Sequence, residues 1–270
     1  MYLSRLFAVL IAALPISAAA HEFWIEPELY QVDAGERLEA KFKNGQEFEG
    51  STLSFFDRSS ARFEMMADGK TKTITPRAGD SPALNVEAPT KDGLVVVVHE
   101  TTPSFVTYRE WEKFLKFVAH KDFRTAEQDH ITAGWPQEKF RERYTRHAKA
   151  LIAVGSGAGA DAAMGLKTEF VALTNPYDPS FANNMNVEVL YDGAPRPDAQ
   201  VEVFDRAPDG TVTVTLHRTD AQGQASIPVQ RGHEYLFDAV VLRPADDERT
   251  AELPILWETY WAALTFKVPE

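Results

Sequence analysis

The sequence predicts a mainly β protein: two antiparallel β-sandwich domains with a short helical segment between them. Three observations predict it. Short runs of alternating apolar and polar residues fill both ends of the chain, for example Leu38, Ala40, Phe42 and Val187, Val189, Tyr191. Turn dipeptides separate those runs at Asn44-Gly45, Asp68-Gly69, Asp92-Gly93, Asp192-Gly193 and Asp209-Gly210. In between, the apolar period changes from 2 to 3.6 and back.

Taken in order, residues 1–20 read as a secretory signal peptide. A single positive charge at Arg5 leads into the apolar run Leu6 to Ile16, and Ala18-Ala19-Ala20 supplies small residues before a cut. The run falls short of the roughly 20 residues that span a bilayer, so no membrane span is expected after cleavage. Residues 21–104 form the expected N-terminal β-domain, and its run Leu94-Val95-Val96-Val97-Val98 suits a strand covered on both faces. Residues 105–160 form the expected helical connection. One helix is predicted near 108–118, where Trp111, Phe114, Leu115 and Val118 share a face. A second is predicted at 137–150, with Phe140, Tyr144 and His147 on one side. The run Gly155-Ser156-Gly157-Ala158-Gly159 lacks the strand before it that a dinucleotide loop requires, so it reads as a turn or linker. Residues 161–270 form the expected C-terminal β-sandwich, closed by the alternating tail Tyr260, Ala262, Leu264, Phe266, Val268.

Charge narrows the function. The net charge of −12 becomes −13 once the leader takes Arg5 with it, which argues against nucleic acid as a partner. The chain has no cysteine, so disulfides and thiolate ligands are excluded and metal chemistry falls to histidine and carboxylate. No nucleophile elbow of the Gly-x-Ser-x-Gly type occurs.

Cleavage after Ala20 makes His21 the first residue of the mature chain. A terminal histidine offers two nitrogens, its free α-amine and its ring, that close a chelate on one metal. The amine's ordinary pKa of about 7.7–8.0 lets a metal displace its proton near neutral pH. Further nitrogen or oxygen ligands complete a tetragonal site, which favours copper(II) over nickel(II) or cobalt(II). His99, at the end of the apolar strand, is the favoured second ligand, and His147 and His233 complete the candidate set. His120, His130 and His217 sit among charged residues and read as surface.

The segment His21-Glu22-Phe23-Trp24-Ile25-Glu26-Pro27 after a signal peptide resembles a bacterial exported family of unknown function labelled the periplasmic component of a cobalt or nickel transport system. His99-Glu100-Thr101-Thr102-Pro103-Ser104, Arg143-Tyr144, Ala148-Lys149-Ala150, Thr174-Asn175-Pro176-Tyr177 and Tyr260-Trp261-Ala262 carry the same resemblance over nearly the whole mature chain. Val187 to Val241, with Tyr191-Asp192-Gly193-Ala194-Pro195 and Thr219-Asp220, is similar to the transthyretin-like or carboxypeptidase-regulatory-like β-sandwich. The resemblance implies a periplasmic protein that delivers a metal ion to a membrane or outer-membrane transporter. Nickel-transport relatives under that label carry the histidine at the second mature position, whereas here it is first, which directs the expectation to copper.

The expected function is therefore periplasmic binding of a divalent transition metal through His21, for uptake or delivery. Two alternatives stand beside it. A metal-free β-sandwich interaction or adhesion module would show no metal binding after correct cleavage. A copper-dependent oxidative enzyme would use the same terminal histidine but would surround it with an exposed aromatic surface.

Overall fold

The computed structural model describes residues 21–246 and 252–270. The expected signal peptide lies outside the described residues. Within them, no helix is long and apolar enough to cross a membrane.

The centre of the molecule is a ten-stranded sheet. Its order is β15 (Val212–Arg218), β14 (Gln200–Arg206), β17 (Glu234–Pro244), β18 (Ile255–Lys267), β10 (Phe140–Val154), β8 (Gly93–Thr101), β5 (Ser60–Ala67) and β6 (Lys70–Thr73). Two short strands, β2 (Gln31–Val32) and β9 (Ser104–Tyr108), also pair with β10. A four-stranded sheet of β1 (Glu22–Pro27), β3 (Arg37–Gln46), β4 (Glu49–Leu53) and β7 (Leu84–Glu87) covers one face. Another, of β11 (Thr168–Ala172), β12 (Asn184–Tyr191), β13 (Ala194–Pro195) and β16 (Gln224–Pro228), covers the other.

Strand alternation makes this three-layer packing possible. In β8, Val95 and Val97 enter the core beneath the first small sheet, while Leu94, Val96 and Val98 enter the core beneath the second. The apolar run is thus a strand buried on both faces, as its composition predicts. Asn44-Gly45 behaves differently from expectation. It lies inside β3, and the chain turns instead at Glu47 and Phe48, both with positive φ. Glycine is required there because a Cβ on Gly45 would stand 1.9 Å from the Glu49 carbonyl oxygen on the neighbouring strand.

The helix expected near 108–118 is α1 (Trp111–His120), and a short α2 (Ala126–Thr132) follows. Phe114, Phe117 and Val118 pack with Phe140, Val240, Trp257 and Trp261, so the helices cover the part of the central sheet that the first small sheet leaves bare. The second expected helix, 137–150, is a correction: this stretch is largely the start of β10, a fifteen-residue strand. Ala148, Ala150 and Ile152 face one core while Leu151 and Ala153 face the other, so both faces of the strand are used. The apparent 3.6 period of Phe140, Tyr144, His147 and Leu151 arises because large residues occupy both faces of a central strand, and tertiary pairing decides the conformation.

Strand β10 also changes the relation between the two halves of the chain. It pairs antiparallel with β8 on one side and parallel with β18 on the other, from Arg141↔Ile255 to Ala150↔Thr265. The N-terminal and C-terminal strands therefore share one sheet. The glycine run 155–159 turns the chain out of β10, with Gly155 and Gly157 in the left-handed region.

Candidate functional site

Where the first small sheet ends and the helices begin, the central sheet turns polar. Glu202 of β14 and Asp238 of β17 stand opposite each other in register, and Trp261 of β18 and Arg146 of β10 are likewise paired. Residues two positions away, Phe204, Leu236, Ala263 and Ala148, mark this as the face covered by the first small sheet. Glu22, opening β1, reaches the same place from above. Lys121, the residue after α1, reaches it from the side.

Lys121 Nζ donates to Glu202 Oε2 at 2.6 Å, to Asp238 Oδ2 at 2.8 Å and to Glu22 Oε1 at 3.3 Å. It also lies 4.9 Å from the centre of the Trp261 ring. All four charged side chains are at most 5 % exposed. Oxygens of the three carboxylates lie within 4.8 Å of one another, close enough to hold a metal ion in principle. One of them, Glu22 Oε2, has no hydrogen-bond partner among the described residues.

The charge states follow from competition between burial and pairing. Burial pushes the Glu22 carboxyl up to about 7 despite the nearby Lys121 ammonium. Burial likewise raises Asp238. For Glu202 burial is outweighed by the hydrogen bond from His120 and the charge of Lys121, which hold it below the usual carboxylate range. Burial also opposes the Lys121 charge, but the carboxylates of Asp238, Glu22 and Glu202 outweigh it and keep the ammonium protonated.

His120, the last residue of α1, stands at the mouth of this cluster. Its side chain is 53 % exposed, and Nε2 is hydrogen-bonded to Glu202 Oε2 at 3.3 Å and lies 3.1 Å from Oε1. That hydrogen bond raises the imidazole above its ordinary value, and Glu22 adds to the effect. Beneath the helices, Arg146 Nη1 donates to Asn44 Oδ1 at 2.7 Å, and its guanidinium lies over the Tyr144 ring. Glu142, fully enclosed, accepts from Tyr108 Oη at 2.7 Å and from Thr259 Oγ1, and burial pushes it up to about 7.

The histidines predicted as ligands are dispersed. His21 is exposed and immediately precedes Glu22. His99 is buried among the rings of Phe23, Phe42 and Phe63, at 5.3, 4.1 and 5.6 Å between centres, with Nε2 bonded to Ser60 Oγ at 2.8 Å. Burial pushes its pKa down to about 3, so it is neutral. His147 lies on the opposite face of the sheet from His99. Its Nδ1 donates to the Trp261 carbonyl at 3.1 Å, and burial lowers it to about 4. His233 pairs with Asp205 at 2.6 Å near the start of β17. No hydrogen bond, ion pair or ring contact joins any of these four to another.

His120, Glu22, Lys121, Glu202 and Asp238 were not singled out by sequence reasoning. One signal pointed to them: Asp238 interrupts the apolar run Tyr235-Leu236-Phe237 and Ala239-Val240-Val241, and Glu202 stands between Val201 and Val203. A carboxylate inside a buried strand needs a partner.

The sequence of residues 18–243 matches the family described as Domain of unknown function (DUF4198). The chain belongs to the DUF4198 family. No curated protein matches it. Among solved structures, this DUF4198 chain is similar at 12 % identity to the D0-D1 domain of intimin, covering 91 % of this chain and 97 % of that one with a TM-score of 0.22. It is similar, also at 12 % identity, to a tetra-tandem repeat from the extending region of a large adhesion protein, covering 91 % and 49 % with a TM-score of 0.23. At those TM-scores neither likeness bears on fold or function.

Proposed function

We propose that this DUF4198 protein is exported to the periplasm and binds a divalent transition metal, copper(II) ahead of nickel(II) or cobalt(II), at the start of its mature chain for delivery to a membrane or outer-membrane transporter. One observation carries the reading: His21 and His120 each directly precede a member of a bonded pair, Glu22 and Lys121. Both histidines are outside this buried cluster, His21 exposed and His120 half exposed, and each adjoins one of its members along the chain. His21 supplies an amine and a ring nitrogen, and His120 supplies a third nitrogen, a set suited to copper(II). Glu202, bonded to one ring nitrogen of His120, plays the part that carboxylates play behind metal-bound histidines, fixing the ring and leaving the other nitrogen for the metal.

This arrangement favours His120 over His99 as the partner of His21, because three phenylalanine rings enclose His99. Binding is favoured over oxidative catalysis, since Trp24, Trp257 and Trp261 are buried and Trp111 and Trp135 half-buried, leaving no exposed tryptophan platform among the described residues. The test is a copper(II) titration of the exported protein beside a form with extra residues left before His21. Blocking the amine should weaken binding by at least about tenfold, in line with the loss of one ligand. Equal affinity in the two forms removes the terminal chelate and favours a metal-free interaction module.

A further inference from the structure

On the face of the central sheet opposite the Glu22–Lys121 cluster, Lys149 of β10 is buried in a second polar cluster. The side chains of Lys149, Asp161 and Glu169 are 1 %, 0 % and 2 % exposed. Lys149 Nζ is 2.9 Å from Asp161 Oδ1 and 2.9 Å from Oδ2, so it faces the carboxyl group symmetrically and stands close to its carbon. That is contact distance for an attacking atom. Two backbone N–H groups point at the same carboxyl: Ala162 donates to Oδ1 and Ala172 to Oδ2, each at 2.8 Å. Glu169 Oε2 lies 3.4 Å from Nζ, and its carboxylate is fixed by the N–H groups of Met164, Gly165 and Leu166. The carbonyls of Ala162 and Phe170 aim the amine by accepting from it at 3.0 and 2.9 Å.

We infer that Lys149 and Asp161 condense to an intramolecular amide, with Glu169 as the proton carrier. The step is redox-neutral and needs no co-reactant. A proton passes from the Lys149 ammonium to the Asp161 carboxylate, leaving a neutral amine and a neutral acid. Nζ attacks Cγ, and the oxyanion that forms is held by the backbone N–H groups already directed at it. Glu169 takes the second proton from Nζ and returns it to the departing hydroxyl. The Cγ–O bond breaks, one water leaves, and Glu169 ends as it began. Condensation replaces two buried charges by a neutral amide in a site that excludes water, which favours the product where an exposed pair would remain ionic. The bond also ties the irregular segment 155–167 to the middle of β10. In an exported chain without cysteine it provides the covalent staple that a disulfide would otherwise supply.

Intact-mass spectrometry of the folded, full exported chain tests this, with the first residue fixed independently by Edman sequencing. The parent should be one water lighter than its sequence, and proteolysis should yield a branched peptide joining Lys149 to Asp161. Glu169→Gln, which keeps the size of the side chain, should fold and retain the full sequence mass, as should Lys149→Arg. A folded parent at full sequence mass, with Lys149 and Asp161 in separate peptides, overturns the inference. So does a one-water loss that persists in folded Lys149→Arg.

Discussion

Burial of ionisable side chains gives this protein an acid–base behaviour that can be read residue by residue. Among the described residues no cationic side chain is hydrogen-bonded to Glu142; burial raises it to about 7 from an ordinary 4.5, against the two hydroxyls that face its carboxyl and the nearby Arg146 charge. A carboxyl whose folded pKa is raised binds more protons in the native state than in the unfolded chain, so stability falls as pH rises from 4.5 to 7. Glu142→Gln should remove that slope. Its unfolding free energy relative to the parent should rise on the order of 3 kcal/mol across that window, as measured by urea denaturation at several pH values. The buried histidines act in the opposite sense. His99 and His147, lowered to about 3 and about 4, stay neutral in the native state while their unfolded counterparts take protons, so they destabilise the fold as pH falls below 6.5. At the residue level the sequence disclosed candidate donors but not their surroundings. His99 looked like a ligand at a strand end, and only the approach of Phe23, Phe42 and Phe63 from three other strands shows that it is enclosed.

Helix α1 was legible because its apolar face is set by local spacing alone. Where its C-terminus lands was not, since Lys121 meets Glu22, Glu202 and Asp238, residues about a hundred positions away in either direction. The position of His120 therefore depends on how α1 is seated. Phe114, fully buried against Tyr108, Trp111, Phe140 and Trp257, fixes that seat. Phe114→Ala should cost about 3–5 kcal/mol and should also weaken copper binding although Phe114 is no ligand. Denaturation and titration of the same variant check both effects. Strand β10 shows the converse difficulty. Its sequence carries Arg, Glu, His and Lys in a strand buried on both faces, and those residues are tolerated because Glu142, Arg146 and Lys149 find partners from distant elements. Short-range patterns contain no record of those partners, so a helix was the natural expectation.

The mainly β class was legible for the whole molecule, since alternation and turn dipeptides recur throughout. The shared sheet was not, because the parallel pairing of β10 with β18 joins residues about 115 positions apart and leaves no local mark. That pairing has a thermodynamic consequence. Removing either half would expose a face and an edge of the central sheet, so the two halves should unfold together. Calorimetry should show one transition whose van't Hoff and calorimetric enthalpies agree, whereas two independent sandwiches would give two.

The most direct test of the proposed metal site compares copper(II) affinity in His120→Ala and His99→Ala, with melting measured on each metal-free protein. His120 is half exposed and ends a helix, so its loss should leave melting nearly unchanged while weakening copper(II) about tenfold or more. His99 is enclosed, so its loss should lower the melting point by opening a cavity and leave affinity intact under conditions where the variant is folded. Binding should also decline on acidification from above the ordinary imidazole value, because Glu202 favours the charged imidazolium of His120, whose second proton, on the nitrogen turned away from Glu202, must leave before a metal can bind. Unchanged copper(II) affinity in His120→Ala, or a loss confined to folded His99→Ala, would contradict this account of the site.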